Sequence, residues 1–277
     1  MYGFTSVSIE ELPIFRLEDA MMVRQGNRLL DCVTFSIHKE EKVVVMGRNG
    51  AGKSSFVRAL TGFERLSSGS LYVDGQDSKT KDLRELRSHV SYIGSSLQDR
   101  FLGDVSASEV VLTGLYGDLA PYWHSFSVKD IERACQLLLD FGVGSKESSL
   151  FRNLSQGERQ RTLLARAFAT ASDLVIADEP FVGLDLVATD ELFMVLDGLG
   201  GPQSVSIIRD KAVLLVVHST AEIPRSFDRV VFLRDGGIAW SGEPREFLDK
   251  SLLSELYGTS LETYEVGGRI YTHLKQP

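Results

Sequence analysis

The sequence has little of what would make a chain disulfide-stapled, metal-clustered or membrane-spanning. Its 277 residues hold two cysteines, Cys32 and Cys135, with no CxxC and no cysteine–histidine cluster. Such spacing offers neither a disulfide framework nor a structural zinc site, and both thiols are expected to lie buried in a reducing compartment. Apolar runs are short: residues 212–217 are among the longest, and a run of that size cannot cross a hydrocarbon layer of roughly 30 Å. The N-terminus opens Met1-Tyr2-Gly3-Phe4 and has no positive side chain before Arg16, so the charged region of a signal peptide is missing. Basic charge is scarce too. Thirty Lys and Arg stand against 38 Asp and Glu, a net charge of −8, which argues against a nucleic-acid partner. The basic clusters at 79–87 and 159–161 are interrupted or flanked by acids and read as solvated helix faces. There is no internal repeat, coiled coil or low-complexity stretch.

What is present is an ordinary globular composition, 43% hydrophobic and 25% charged, enough for one large domain or two small ones. Residues 14–20 and 30–37 alternate as half-buried strands do. Residues 42–46 form a compact Val/Met run that suits a strand buried on both faces. A helix is expected over 54–60, with Phe56 and Leu60 one turn apart, then strands at 70–74 and 90–93. From about 106 to 170 the pattern turns helical. Ile131, Ala134, Leu137, Leu138 and Phe141 share one face, and a second helix spans 156–169. Buried strands return at 174–177, 213–217 and 230–233, with an amphipathic helix at 189–196. The reading is an α/β core interrupted by a helical block.

Between the strand at 42–46 and the helix that follows lies Gly47-Arg48-Asn49-Gly50-Ala51-Gly52-Lys53-Ser54, a G-x-x-x-x-G-K-[ST] match in the required context. Glycines let backbone amides wrap phosphate oxygens, and the following helix points its free amides and positive dipole end at the same anion. Lys53 is placed to reach the β- and γ-phosphates of ATP, and the Ser54 hydroxyl to ligate Mg2+. Residues 174–177 end in Asp178-Glu179. After an apolar strand two carboxylates are usually a solvated strand end. Downstream of such a loop they become a candidate Mg2+ ligand, Asp178, and a general base, Glu179.

Leu154-Ser155-Gln156-Gly157-Glu158-Arg159-Gln160-Arg161 reads, taken alone, as a helix start in which Ser155 and Glu158 form a capping box. It also resembles the signature sequence of the ATP-binding-cassette (ABC) ATPases, usually LSGGQ. Phe181-Val182-Gly183-Leu184-Asp185 resembles that family's dimer-contacting loop, with Asp185 the matching aspartate. His218 matches its switch histidine, and Gly69 to Gly75 its strand and turn after the first helix. The resemblance spans roughly residues 14–244 in five ordered motifs. It implies a P-loop NTPase (ABC ATPase) core with an antiparallel β subdomain and a helical subdomain at about 98–170. The expected division is a tail at 1–13, the ATPase domain at 14–246 and an extension at 247–277. Ser55 joins the loop residues as a nucleotide contact on the same ground.

Three departures from the family stand out. Gln156 and Glu158 replace the usual Gly and Gln of the signature, and a capping box is expected to fold Glu158 back onto its own helix start. The glutamine that follows the 90–93 strand in relatives aligns with Ser95, leaving Gln98 three residues later as a candidate Mg2+ contact. The adenine-stacking aromatic aligns near Arg24 and Gln25, where Arg24 offers only a planar guanidinium. The resemblance further implies a dimer of two such subunits, with Leu154, Ser155, Gln156, Gly157 and Glu158 acting on the partner's ATP. It adds a transmembrane permease gripped through the helical block and, in uptake systems, a substrate-binding protein. The chain would then be a cytoplasmic ATPase subunit, peripheral on the membrane and importer-like. Leu256-Tyr257-Gly258 resembles the ends of subunits serving metal-chelate uptake. The rival reading is a soluble ABC ATPase such as an iron–sulfur assembly factor.

Overall fold

The computed structural model describes residues 12–80, 82–101, 103–117, 121, 125–198 and 208–275. The expected tail therefore lies almost wholly outside the described residues. In chain order the elements are β1 (Phe15–Arg24), β2 (Asn27–Ile37), β3 (Lys42–Gly47), α1 (Lys53–Leu60), β4 (Ser68–Val73), β5 (Gln76–Asp77), α2 (Leu83–Ser88) and β6 (Val90–Ile93). There follow α3 (Ser95–Gln98), α4 (Ala107–Leu115), α5 (Val128–Asp140), α6 (Gln156–Ala169), β7 (Leu174–Asp178), α7 (Leu186–Leu196) and β8 (Ala212–Val216). The last are β9 (Arg229–Arg234), β10 (Gly237–Gly242), α8 (Lys250–Tyr257), β11 (Leu261–Val266) and β12 (Arg269–Leu274).

The central sheet has the order β10-β9-β3-β8-β7-β6, parallel except for the edge strand β10. Its inner strands are apolar on both faces because both are covered. Val44, Met46, Val175, Ala177 and Leu215 enter one core, while Val43, Val45, Leu174, Ile176 and Leu214 enter the other. A parallel sheet delivers the ends of β3, β7 and β8 to one edge, and those ends carry Gly47, Asp178 and the segment leading to His218.

The second core lies under an antiparallel sheet of order β2-β1-β4-β5, with α1 packed below it and Phe35 meeting Phe56 edge-on at 5.0 Å. Here β1 extends well past the expected end at Ala20. Asp19 takes a left-handed φ of 45°, and the register to β2 shifts between Leu17 and Ala20. This bulge moves the buried positions from Phe15 and Leu17 to Ala20 and Met22, which breaks the alternation visible in the sequence. Cys32 sits on β2 with φ 48° and is exposed, and Cys135 is only partly buried. The expectation of two buried thiols is corrected on that ground.

The helices α4, α5 and α6 form a block on the other side of the sheet, filled by Phe101, Phe141, Phe151 and Phe168. Capping boxes open α4 at Ser106/Glu109 and α5 at Ser127/Asp130. The C-terminal segment is ordered: α8 and the β11–β12 hairpin place Leu253, Leu256, Leu261 and Ile270 in the main core. The hairpin holds on through Arg269, whose guanidinium pairs with Asp190 at 2.7 Å and stacks over Phe193, and through Thr272, bonded to Thr220 at 3.0 Å. Leu256-Tyr257-Gly258 is accounted for structurally. Gly258 ends α8 with a φ of 67°, and Tyr257 packs edge-on against Phe232. Among the described residues no helix is long and apolar enough to cross a membrane.

Candidate functional site: a phosphate loop between two cores

The glycine-rich loop leaves β3 and turns into α1. Gly47 has φ 149°, and a side chain there would run into the Leu233 carbonyl of the neighbouring strand. Gly52 stands at the N-cap of α1 with φ 103°, so the chain can enter the helix with no side-chain cap over its first amides. Those amides and the α1 dipole give the loop the character of an anion cradle. Arg48, Asn49 and Gly50 are exposed, whereas Ala51 and Ser55 are buried. Lys53 is 7% exposed, and its ammonium donates to the Gly47 carbonyl at 2.8 Å and the Arg48 carbonyl at 3.4 Å. Burial lowers its pKa, and the nearby charges of Glu179 and Asp178 oppose that shift. The loop thus carries its one buried cation against two carboxylates.

The carboxylates come from β7. Burial raises the pKa of Asp178, while a hydrogen bond from the Tyr92 hydroxyl to Oδ2, at 3.0 Å, pulls it down. Glu179 turns away from the strand with φ 55°, and its Oε1 meets His218 Nε2 at 2.7 Å. The His218 amide donates to Glu222 at 3.0 Å, and Ser219 opens the short turn behind it with a capping box. Ser54, Asp178 and Glu179 line one open cleft of about 1180 Å³, together with Arg58, Phe63 and Tyr92. A Ser hydroxyl and a carboxylate are the hard oxygen donors that suit Mg2+, so these residues fit the ion that ATP chemistry requires.

At the start of α6 the capping box is formed. Ser155 Oγ accepts from the Glu158 amide, and Glu158 Oε2 accepts from the Ser155 amide at 2.8 Å. The other carboxylate oxygen of Glu158 pairs with Lys146 at 3.1 Å. Glu158 is therefore held back on its own helix, with its charge balanced, as its place in the box suggests. Ser155 and Gln156 remain exposed, Leu154 is buried, and Gly157 packs so closely on α7 that a Cβ would lie 2.6 Å from Ala188 Cβ. Asp185 caps α7 by accepting from the Ala188 amide at 2.8 Å.

Two candidates are placed otherwise than the chemistry asked of them. The Gln98 amide donates to Gln160 of α6 at 2.9 Å, because the chain after β6 coils directly into α3 instead of forming a longer loop. Arg24 lines the cleft but pairs with Glu64 at 3.4 Å. Tyr92 is the residue that the sequence reading missed. Its only signal is a tyrosine in the short strand Val90-Ser91-Tyr92-Ile93, and its partner lies 86 residues away.

Comparison with known proteins agrees with this fold. A family model described as "ABC transporter" matches residues 30–182. An ABC transporter ATP-binding protein, YlmA of Bacillus subtilis (strain 168), itself uncharacterized, is 30% identical over 90% of this chain and 92% of its own. The phosphonates import ATP-binding protein PhnC of Hydrogenovibrio crunogenus is 32% identical over 87% of this chain and 86% of its own. An ATP-binding cassette solved as a dimer in a post-hydrolysis state with ADP and Pi superposes with a TM-score of 0.65 at 22% identity, covering 83% of this chain and 99% of that one. The chain belongs to the ABC transporter family, as one of its ATP-binding, ATP-hydrolysing subunits.

Proposed function

We propose that this chain dimerises around two Mg-ATP molecules and that their hydrolysis drives a separate membrane-spanning partner in uptake. The observation that carries the reading is the Glu179–His218 contact at 2.7 Å, at the sheet edge where the phosphate loop leaves β3. Residues 47–55 cradle the phosphates, with Lys53 on the β- and γ-phosphates, and Ser54 and Asp178 hold Mg2+. Glu179 takes the proton of the attacking water, and His218 holds Glu179 in place while facing the γ-phosphate.

Dimerisation is supported by the surface around Asp185. Val182, Leu186 and Val187 are 56%, 83% and 66% exposed, an apolar group that association would cover. Close by, the exposed Ser155 hydroxyl and the Gly157 amide at the start of α6 close on the partner's γ-phosphate. In this arrangement one chain alone hydrolyses poorly. The permease docks on the helical block beside the cleft, which keeps the subunit at the cytoplasmic face of the membrane. The name of PhnC, an import ATP-binding protein, supports uptake over export.

The test has two arms. Glu179→Gln should bind ATP, accumulate as a dimer, and lose turnover by about a hundredfold or more, the weight of a positioned base. Affinity purification from detergent-solubilised membranes should recover a polytopic partner. Recovery of soluble assembly proteins alone would overturn the transport reading and favour a soluble ABC ATPase.

A further inference from the structure

The side chain that reaches Asp178 is not a glutamine. The Tyr92 hydroxyl donates to Asp178 Oδ2 at 3.0 Å, across the parallel pair β6–β7. In that register Tyr92 lies opposite Ile176, so the ring must span the step to Asp178, which a side chain as long as tyrosine can do. The ring is braced edge-on by Phe63 at 5.9 Å.

A second residue guards the contact. Gly94 has an extended backbone, φ −146°, so nothing in its conformation requires glycine. A Cβ at Gly94, however, would overlap the Tyr92 hydroxyl and lie 2.8 Å from the ring carbon that bears it. Any side chain at position 94 would push the hydroxyl off Asp178. Gln98, meanwhile, is committed to Gln160.

We infer that Tyr92 is the positioning residue for Asp178: its hydroxyl, in space kept open by Gly94, ties down one carboxylate oxygen and leaves the other to face Mg2+. The inference rests on the reading of Asp178 as a metal ligand. Tyr92 and Phe63 also line the cleft.

The experiment measures binding of radiolabelled ATP to the full chain across a Mg2+ titration, and again in EDTA. Tyr92→Phe removes only the hydroxyl, and Gly94→Ala displaces it. Each should raise the Mg2+ concentration for half-maximal ATP binding roughly tenfold, the weight of a hydrogen bond to a charged group. ATP affinity in EDTA should stay as in the wild type, and the double variant should be no worse than either single one. Turnover lost at limiting Mg2+ should return at saturating Mg2+. If both variants titrate like the wild type, or if affinity falls equally with and without Mg2+, Tyr92 has no positioning role. Asp178→Asn separates the two layers. If it leaves the Mg2+ titration unchanged, the metal-ligand reading itself fails; if it abolishes the Mg2+ effect while Tyr92→Phe does nothing, only the inference about Tyr92 fails.

Discussion

The imidazole Nε2 of His218 lies 2.7 Å from Oε1 of Glu179, and the two groups are carried by adjacent parallel strands. Their meeting depends on register, since Asp178 stands opposite Val216 and each reactive residue follows just beyond. Glu179 takes a left-handed φ of 55°, a conformation that costs a non-glycine residue on the order of 1–2 kcal/mol. Its amide is anchored on the Val216 carbonyl at 3.1 Å, so β8 holds both the strained backbone of Glu179 and the chain that leads to His218.

From this follows a separation of binding and turnover. Replacing His218 with Ala leaves the loop in place, because the backbone amide of residue 218, not the ring, bonds Glu222. His218→Ala should therefore keep ATP affinity within about twofold while kcat falls by roughly a hundredfold. Equilibrium binding and steady-state turnover on one preparation decide it, and an unchanged kcat would remove His218 from the site.

Gly47→Ala should act through the backbone. The residue combines a positive φ with a Cβ direction blocked by the Leu233 carbonyl, and neither can relax without moving β9. Overpacking of this kind costs about 1–3 kcal/mol. We expect a loss of that size in urea unfolding, with ATP binding abolished in the fraction still folded. Wild-type ATP affinity would show that the loop tolerates the distortion.

What the sequence made legible follows from where each signal is local. The strands β3, β7 and β8 are apolar on both faces and read as unbroken runs, and the phosphate loop and the capping box each fit within one turn of chain. The end of β1 was lost because the Asp19 bulge shifts the alternation. The first turn of α7 was lost because Leu186 and Val187 are apolar yet exposed, which spoils the amphipathic pattern. The hairpin β11–β12 mixes apolar and polar residues on both strands and gives no clean period. Gln98 and Tyr92 were decided by partners 62 and 86 residues away, and no spacing rule in the chain carries that information.

Glu158 gives a pH dependence with a definite sign. The hydrogen bond from the Ser155 amide, first, and the Lys146 contact lower its pKa below the ordinary value of 4.5. A carboxylate with a lowered folded pKa stabilises the fold above the ordinary value, and that contribution disappears as pH falls through the folded value. Ser155→Ala, which removes the cap, should cost about 1 kcal/mol at pH 7. Glu158→Gln keeps the box but loses the charge, so its deficit should be smaller and should shrink below pH 4.5. Urea titrations of the three proteins across that window test this, and a deficit that grows on acidification would contradict it.

Arg269 fixes the C-terminal hairpin to the helix that Asp185 opens. Its guanidinium makes two separate contacts, the 2.7 Å ion pair with Asp190 and the stack 3.8 Å over the Phe193 ring, while Phe193 itself stacks on Phe181 at 4.6 Å. The Arg269 side chain is largely buried and the Asp190 side chain exposed, so the ion pair is worth little and the cation–π contact carries more of the energy. Arg269→Ala should cost about 1 kcal/mol or slightly more, and Asp190→Ala no more than about half of that. Arg269→Lys keeps the charge but not the planar group, so it should rescue only part of the loss. Hydrogen exchange should rise over 186–196 and 269–274 in Arg269→Ala but not in Asp190→Ala. Equal costs for the two alanine variants would mean that the ion pair, and not the ring stack, fastens the hairpin.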